Sequence, residues 1–401
     1  MTFPIVYNIF VQIKVKITMV ALCFDINNLI FKFLNFECKH RFKITNKQST
    51  KLKITDLFNI DIKYLNKLDD KILKNYLDVD KLYASNNSKI TKINKMKKIQ
   101  ILHADGSCGL SHFGFSNCVN IKVLHVTNNK KIKNINFLTN LTELHAQSSN
   151  GGLLYKGFKN CRKLEILNIR YNNNISTLEG LTNLRILDAS FCDILSNKYA
   201  NECTKLERLC LHGSHMSYDL NKLSNLRTLI TPYVINTNDL ICCVNLEVLD
   251  FGFAAHSDID LSHLTKLKML RKHDSNIDSI KNCTSLEVLF GYHSCDFNNL
   301  TNLRILSISG ANFTTNNIIE CTNLEMLNLE HCLNLESIDH LKKLKLLIMS
   351  GNNKLKIHEI EKKCTNLKRI IKSNFSGVSF DFDILWNNNI VDKIIKNHLL
   401  Y

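Results

Sequence analysis

A single line recurs through most of this chain, and no other feature constrains its fold so tightly. It is clearest at Leu181-Thr-Asn-Leu184-Arg-Ile-Leu187-Asp-Ala189-Ser-Phe-Cys192-Asp-Ile194, with apolar residues at positions i, i+3, i+6, i+8 and i+13 and Cys at i+11. Aligned copies start at Tyr76, Met96, Cys118, Leu138, Cys161, Leu181, Cys203, Leu223, Cys243, Leu264, Cys283, Leu300, Cys321, Leu341 and Cys364, fifteen units mostly 20 to 23 residues apart. A period of that size means a stack of short units, each burying its apolar side against its neighbours in one continuous core. The two prolines, at positions 4 and 232, provide no Pro-rich linker to divide it.

The spacing of this line resembles that of leucine-rich repeat proteins. The resemblance implies an α/β solenoid: a curved parallel β-sheet on the concave face, short helices or 3₁₀ segments on the convex face, and helical caps at both ends. Strand geometry then puts i+6 and i+8 in the core and turns i+5, i+7 and i+9 to solvent. With strands about 4.8 Å apart, the inner surface is on the order of 70 Å long, and it is the expected binding face. The expected organisation is an extended segment over 1–18, a helical cap or module over 19–70, the solenoid over 71–375 and a closing cap over 376–401. Ile390, Ile394 and Ile395 suggest a helix in that last part, with Trp386 packing against it.

Fifteen cysteines in a small secreted domain would suggest disulfides, but seven of these (Cys118, Cys161, Cys203, Cys243, Cys283, Cys321, Cys364) occupy position i. From Cys118 onward, position i alternates Cys and Leu, exposing a second period of about 41 residues. The step leading into a Cys unit is often the longer and carries helix-like text, as in Ser196 to Cys203, so the convex back is expected to alternate a short helix with a tighter segment. Used as small buried hydrophobes, these thiols fit a reducing, cytoplasmic setting.

The formal charge of +16 is concentrated: residues 1–100 hold 19 Lys and Arg against 8 Asp and Glu. That basic quarter keeps open an alternative function as a nucleic-acid or anionic-surface binder. Its densest cluster, Lys92, Lys95, Lys97 and Lys98, is interleaved with the core positions Ile93, Met96 and Ile99 and reads as a solvated convex face, so nucleic acid is not the expected partner. The first 20 residues are apolar but lack a basic leading region and are interrupted by Lys14 and Lys16, so neither a signal peptide nor a membrane span is expected.

Residues 24–47 do not fit the repeat. They carry a helix start at Asp25, apolar Ile26, Leu29, Ile30, Phe33 and Leu34, and a basic-apolar run from Phe42 to Lys47. This segment resembles the F-box, although the usual Pro near its start and the Trp at its end are absent. The resemblance implies that Ile26, Leu29, Ile30, Phe33 and Leu34 dock on a Skp1-type subunit of a ubiquitin ligase while the repeats select the substrate. The other reading is a plain helical cap, and Met1 and Met19 both stand as possible starts.

No Gly-rich phosphate loop, GxSxG, HExxH or paired CxxC occurs, so neither catalysis nor a cofactor is expected, and no metal site is assigned. His103, His125 and His145 share position i+7 of three consecutive units. They are taken as exposed concave-face residues available to a partner; a shared metal or anion is the rarer use of such a row. A second patch gathers Arg170, Tyr171, Asp188, Phe191, His212, Tyr233, Asp250, Phe253, Arg271, His273, Phe290 and Tyr292 at exposed or edge positions. Aromatic and Arg side chains anchor protein interfaces, so this patch is the expected partner contact.

Overall fold

The structure is a computed structural model and describes residues 56–57, 65–148, 151–193, 195, 202–214, 220–231, 237–255, 259–274, 277–293, 296–310, 312–350 and 354–373. Among these residues, every aligned copy of the line produces a strand that begins at i+5. The strands are β1 (Asp56–Leu57), β2 (Lys81–Tyr83), β3 (Ile101–His103), β4 (Val123–His125), β5 (Glu143–His145), β6 (Ile166–Asn168), β7 (Ile186–Asp188) and β8 (Arg208–Cys210). They continue as β9 (Thr228–Ile230), β10 (Val248–Ala255), β11 (Met269–Asp274), β12 (Val288–His293), β13 (Ile305–Ser309), β14 (Met326–Glu330), β15 (Leu346–Ser350) and β16 (Arg369–Ser373).

All pair in parallel and in sequence order as one sixteen-stranded sheet, a solenoid. Strand β1 precedes the first aligned unit, so the sheet starts inside the stretch expected to be helical, with Leu57 in register with Leu82. Helix α1 (Asp70–Leu73) follows, N-capped by Asp69, whose Oδ1 accepts from the Ile72 amide at 2.8 Å. The F-box-like residues 24–47 and the closing segment 376–401 with Trp386 lie outside the described residues.

The line packs as its spacing requires: Leu181, Leu184, Leu187, Ala189 and Cys192 are all fully buried. Lys272 is an exception to the apolar rule at i+8. It is buried in that core slot, with Nζ donating to the Ile259 carbonyl at 3.5 Å.

The seven position-i cysteines are buried, and their thiols donate to carbonyls of a preceding coil, as Cys118 does to Ile93 and Cys283 to Leu261, both at 3.3 Å. Burial pushes the thiols of Cys118, Cys161, Cys203, Cys243, Cys283 and Cys321 up to about 12. A Leu coil separates successive Cys coils, so neighbouring ladder thiols stand two strand spacings apart, about 9.6 Å between Cα atoms and beyond the ~7 Å that a disulfide can span.

The back alternates as the spacing implies, chiefly through 3₁₀ turns. The described turns His112–Gly114, Tyr155–Gly157, Ile277–Ile280 and Thr315–Ile318, with helices α2 (Thr237–Leu240) and α3 (Ile357–Lys363), each lead into a Cys coil. These turns sit tight on the neighbouring coil: a Cβ on Gly157 would lie 2.1 Å from the Lys133 carbonyl oxygen.

Two ladders absent from the expectation tie coil to coil. At i+11, Asn129 donates to the Ala104 carbonyl at 2.6 Å and accepts from the Lys131 and Ile132 amides, and Asn172 repeats the arrangement on Ala146. Cys192 takes the same position and donates to Ile169 at 3.0 Å. At i+4, charge alternates along ten consecutive coils: Glu165, Arg185, Glu207, Arg227, Glu247, Lys268, Glu287, Arg304, Glu325, Lys345. Neighbours pair along the row, with Arg185 to Glu207 at 2.9 Å, Arg227 to Glu247 at 2.9 Å, Lys268 to Glu247 at 2.7 Å and Arg304 to Glu325 at 2.6 Å. Within these ten coils every acid belongs to a Cys coil and every base to a Leu coil, so there the 41-residue period is electrostatic as well as steric.

Replacing the buried Asn129 by Ala strands one carbonyl and two amides and is expected to cost about 2–3 kcal/mol. Asn120→Ala, which removes an exposed hydrogen bond to Lys97 at 2.9 Å, should cost less than about 1 kcal/mol. Urea denaturation of the two variants beside the parent measures both.

Candidate functional site

The concave face divides into two parts. Along β2 to β9 the strands are short and the i+5 and i+7 side chains are mostly half-buried, as expected of a solvated sheet face. From β10 to β15 the i+5 row is apolar without a break and buried, and Val248, Met269, Val288, Ile305, Met326 and Leu346 form a second buried cluster distinct from the main core.

That change overturns part of the expected partner patch. Phe290 packs in the second cluster at 5% exposure, and Asp250 is 4% exposed. Asp250 accepts both prongs of Arg271, Nε to Oδ1 and Nη2 to Oδ2, each at 2.5 Å, so these charges satisfy each other below the surface. Asp250 and Phe290 are therefore buried, and Arg271 half-buried in its pair with Asp250, where strand parity suggested exposure, because parity separates the two faces of a sheet but not an open face from a covered one. His273 and Tyr292 lie on β11 and β12, and Phe253 on β10. Tyr233 falls outside the described residues.

The other members of the patch do converge. Asp188 ends β7, where its Oδ1 accepts from the Ser190 amide at 3.0 Å. Just beyond the strands, position i+10 takes left-handed backbone at Asn86, Gly106, Asn128 and Gly213, residues that tolerate it. In two adjacent coils the same position instead carries Tyr171 at φ 60° and Phe191 at φ 57°. Their rings stack at 4.5 Å with an interplanar angle of 11°, and His212 meets Phe191 edge-on at 5.3 Å.

The Arg170 guanidinium lies 5.0 Å from the Tyr171 ring centroid and 5.2 Å from that of Phe191. Its Nε is buried without a hydrogen-bond partner among the described residues. Tyr171 is 45% exposed, so the cluster stands at the surface. Burial, ahead of the Asp250 charge that opposes it, lowers the His212 imidazole.

Further toward the N-terminus, β3, β4 and β5 bring the three histidines into register, His103 opposite His125 and His125 opposite His145. Their rings stack, 3.7 Å apart at 17° and 4.1 Å apart at 10°, and Tyr83 of β2 extends the row at 5.6 Å from His103. Glu143, two residues before His145 on the same strand face, accepts from its Nε2 at 2.7 Å. Asp105, two residues after His103, accepts from the Ser85 hydroxyl and the Thr127 amide, both at 2.8 Å. One ligand-type atom each from His103, Asp105 and His125 lie within 4.8 Å of one another, as do those from His125, Glu143 and His145. The sequence reading found the histidines but not the two carboxylates, which the period-2 parity of β3 and β5 would have supplied.

No protein-family model and no curated protein matches the chain. Among solved structures, a leucine-rich repeat protein from Leptospira interrogans is similar with a TM-score of 0.60 and 20% identity, covering 76% of this chain and 86% of that one. An internalin from Listeria monocytogenes gives a TM-score of 0.54 and 21% identity, covering 67% of this chain and 85% of that one. At these identities the likeness is one of fold: the chain is a leucine-rich repeat solenoid.

Burial first, then repulsion from His145 and His103, holds the His125 imidazole down to about 3, with Glu143 opposing. His103 is also lowered by burial and by His145, against Asp105 and Glu143. An unfolded histidine titrates near 6.5, so between roughly pH 6.5 and pH 3 the unfolded chain binds more protons than the folded one and stability falls as pH drops. Glu143, held low first by its His145 hydrogen bond, acts in the same direction below its ordinary 4.5. In chelator-treated protein, the unfolding free energy from urea denaturation should decline from about pH 7 to about pH 5, by at most about 1.4 kcal/mol per pH unit for each proton taken up. His125→Asn should flatten that decline, and an equal slope in parent and variant would contradict the assignment.

Proposed function

We propose that this leucine-rich repeat solenoid is a protein-recognition module whose partner contacts the N-terminal part of the concave face, centred on Arg170, Tyr171, Phe191 and His212. One observation carries the reading: two large aromatic residues hold left-handed backbone side by side in adjacent coils, at a position that Asn86, Gly106, Asn128 and Gly213 fill in other coils and that a further bulky residue, His331, takes only singly. Such a conformation costs on the order of 1–3 kcal/mol at each bulky residue, and strain of this kind collects at ligand-binding positions. The result is a rigid, half-open aromatic platform with an Arg lying over it, the residue types that dominate interface energetics. Asp188 and the histidines of β3 to β5 extend the same face and belong to the proposed contact area.

The finer reading is a cytoplasmic substrate adaptor, with residues 24–47 docking on a Skp1-type subunit. It rests on the F-box resemblance alone. Co-purification with such a subunit, lost on deletion of residues 19–50, supports it; failure to recover the subunit with the intact chain removes it. The nucleic-acid alternative has less behind it, because acids stand among the exposed lysines of the N-terminal quarter: Lys98 pairs with Asp78 at 2.6 Å. No helix among the described residues is long and apolar enough to cross a membrane.

The platform predicts an unusual separation of stability from binding. Tyr171→Gly with Phe191→Gly relieves left-handed strain while removing a stacked pair, so the unfolding free energy from urea denaturation should stay within roughly 1 kcal/mol of the parent. Binding to the partner recovered by affinity purification should weaken at least about tenfold. Undiminished binding by the double variant would exclude this platform from the contact.

A further inference from the structure

The row of imidazoles on β3 to β5 has a chemistry that protein recognition does not require. Two carboxylates stand on the same sheet face, one at each end of the row, so five ligand-type side chains gather over three adjacent strands. Two histidines with one carboxylate match the donor preference of divalent first-row transition metals and of zinc, and not that of magnesium or calcium, which take oxygen ligands. We propose that His125, Glu143 and His145 form a binding site for one divalent transition-metal ion of the zinc class, on the concave face and apart from the Arg170 platform.

The placement favours it. All three residues lie on paired strands, with His125 opposite His145 in the sheet register and Glu143 two residues earlier on the strand of His145. Zinc at about 2.0–2.1 Å from each ligand needs donor atoms roughly 3.4 Å apart. The three donors already lie within 4.8 Å of one another, so modest side-chain rotation closes the set without backbone movement. Glu143 exchanges its 2.7 Å hydrogen bond from His145 for the ion.

The second set, His103 with Asp105 and His125, competes for the same central imidazole. Its carboxylate is already committed to Ser85 and Thr127, so it is the weaker of the two. His103 then serves as the stacked wall of the site, 3.7 Å from His125. A three-ligand set of this kind leaves one position of a tetrahedral ion to water or to a group on a bound partner.

The test uses the full chain without a histidine tag, stripped with chelator and titrated with zinc sulfate by calorimetry. The chain should take up one equivalent through this site. His125→Asn, His145→Asn and Glu143→Gln should each weaken uptake at least about tenfold, as loss of a ligand does, while His103→Asn retains it. Variants are compared only where the circular dichroism spectrum matches the parent; Glu143→Gln, at a half-exposed position, supplies the answer should a histidine variant not fold. Cobalt(II) in place of zinc separates this site from the fifteen cysteines, since imidazole and carboxylate ligation gives visible absorption without a sulfur-to-metal charge-transfer band. No uptake, uptake equal in parent and Glu143→Gln, or a spectrum dominated by the sulfur band would each overturn the proposal.

Discussion

The structure depends on one repeated bond pattern, in which the carbonyl at i+4 of each coil accepts two amides from the next. Asp80 takes Gln100 and Ile101, Gln100 takes Lys122 and Val123, Glu165 takes Arg185 and Ile186, and the pattern runs on to Lys345 with Lys368 and Arg369. It locks each coil to its predecessor at one spacing and in one register. Any residue type repeated at a given position is thereby stacked on itself every ~4.8 Å. That constraint sorts the positions. Amides and apolar residues can repeat indefinitely, since asparagine can donate backward and leucine can pack on leucine. Like charges repel at that spacing, and along ten coils at i+4 the sign alternates, until Lys368 follows Lys345 in the last described coil. Bulk on the back alternates as well, with a thiol where a helical turn crowds in and a leucine where it does not.

The histidine row is the exception that this logic exposes. Three identical titratable groups are stacked at the sheet spacing, where three positive charges would repel, and burial with mutual repulsion keeps the central one neutral. Asp105 and Glu143 flank it on the same face. The Tyr171 and Phe191 pair breaks a different rule, since two bulky side chains stand side by side on left-handed backbone that Asn86, Gly106, Asn128 and Gly213 hold in other coils. Both features lie on β2 to β8, ahead of the point where the concave face becomes apolar.

Much of this was legible in the sequence, because a solenoid converts spacing directly into geometry. The start of each line located its strand, and the cysteine positions identified the buried thiols. What escaped were relations that appear only between coils. Glu165 next to Arg185 looks like ordinary surface charge until the two-coil period is laid over position i+4. Glu143 is unremarkable until it is paired with His145 by strand parity. Asp250 and Arg271 look exposed by parity, yet they pair with each other, Asp250 buried and Arg271 half-buried, beside an i+5 row of buried Val248, Met269 and Val288. The strand at Asp56–Leu57 carries too little of the line to be recognised.

The claim underlying all of this is that the unit of the fold is a pair of coils, not a single one. Deleting residues 264–282 removes one coil and sets Cys243 beside Cys283 and Glu247 beside Glu287. Deleting residues 264–299 removes two and sets Glu247 beside Arg304, with Cys243 beside Leu300. Thermal unfolding of the two deletions compares them directly. The account predicts that the shorter protein melts higher, with a single cooperative transition close to the parent's, while the one-coil deletion melts well below both. Equal melting temperatures, or a more stable one-coil deletion, would contradict it.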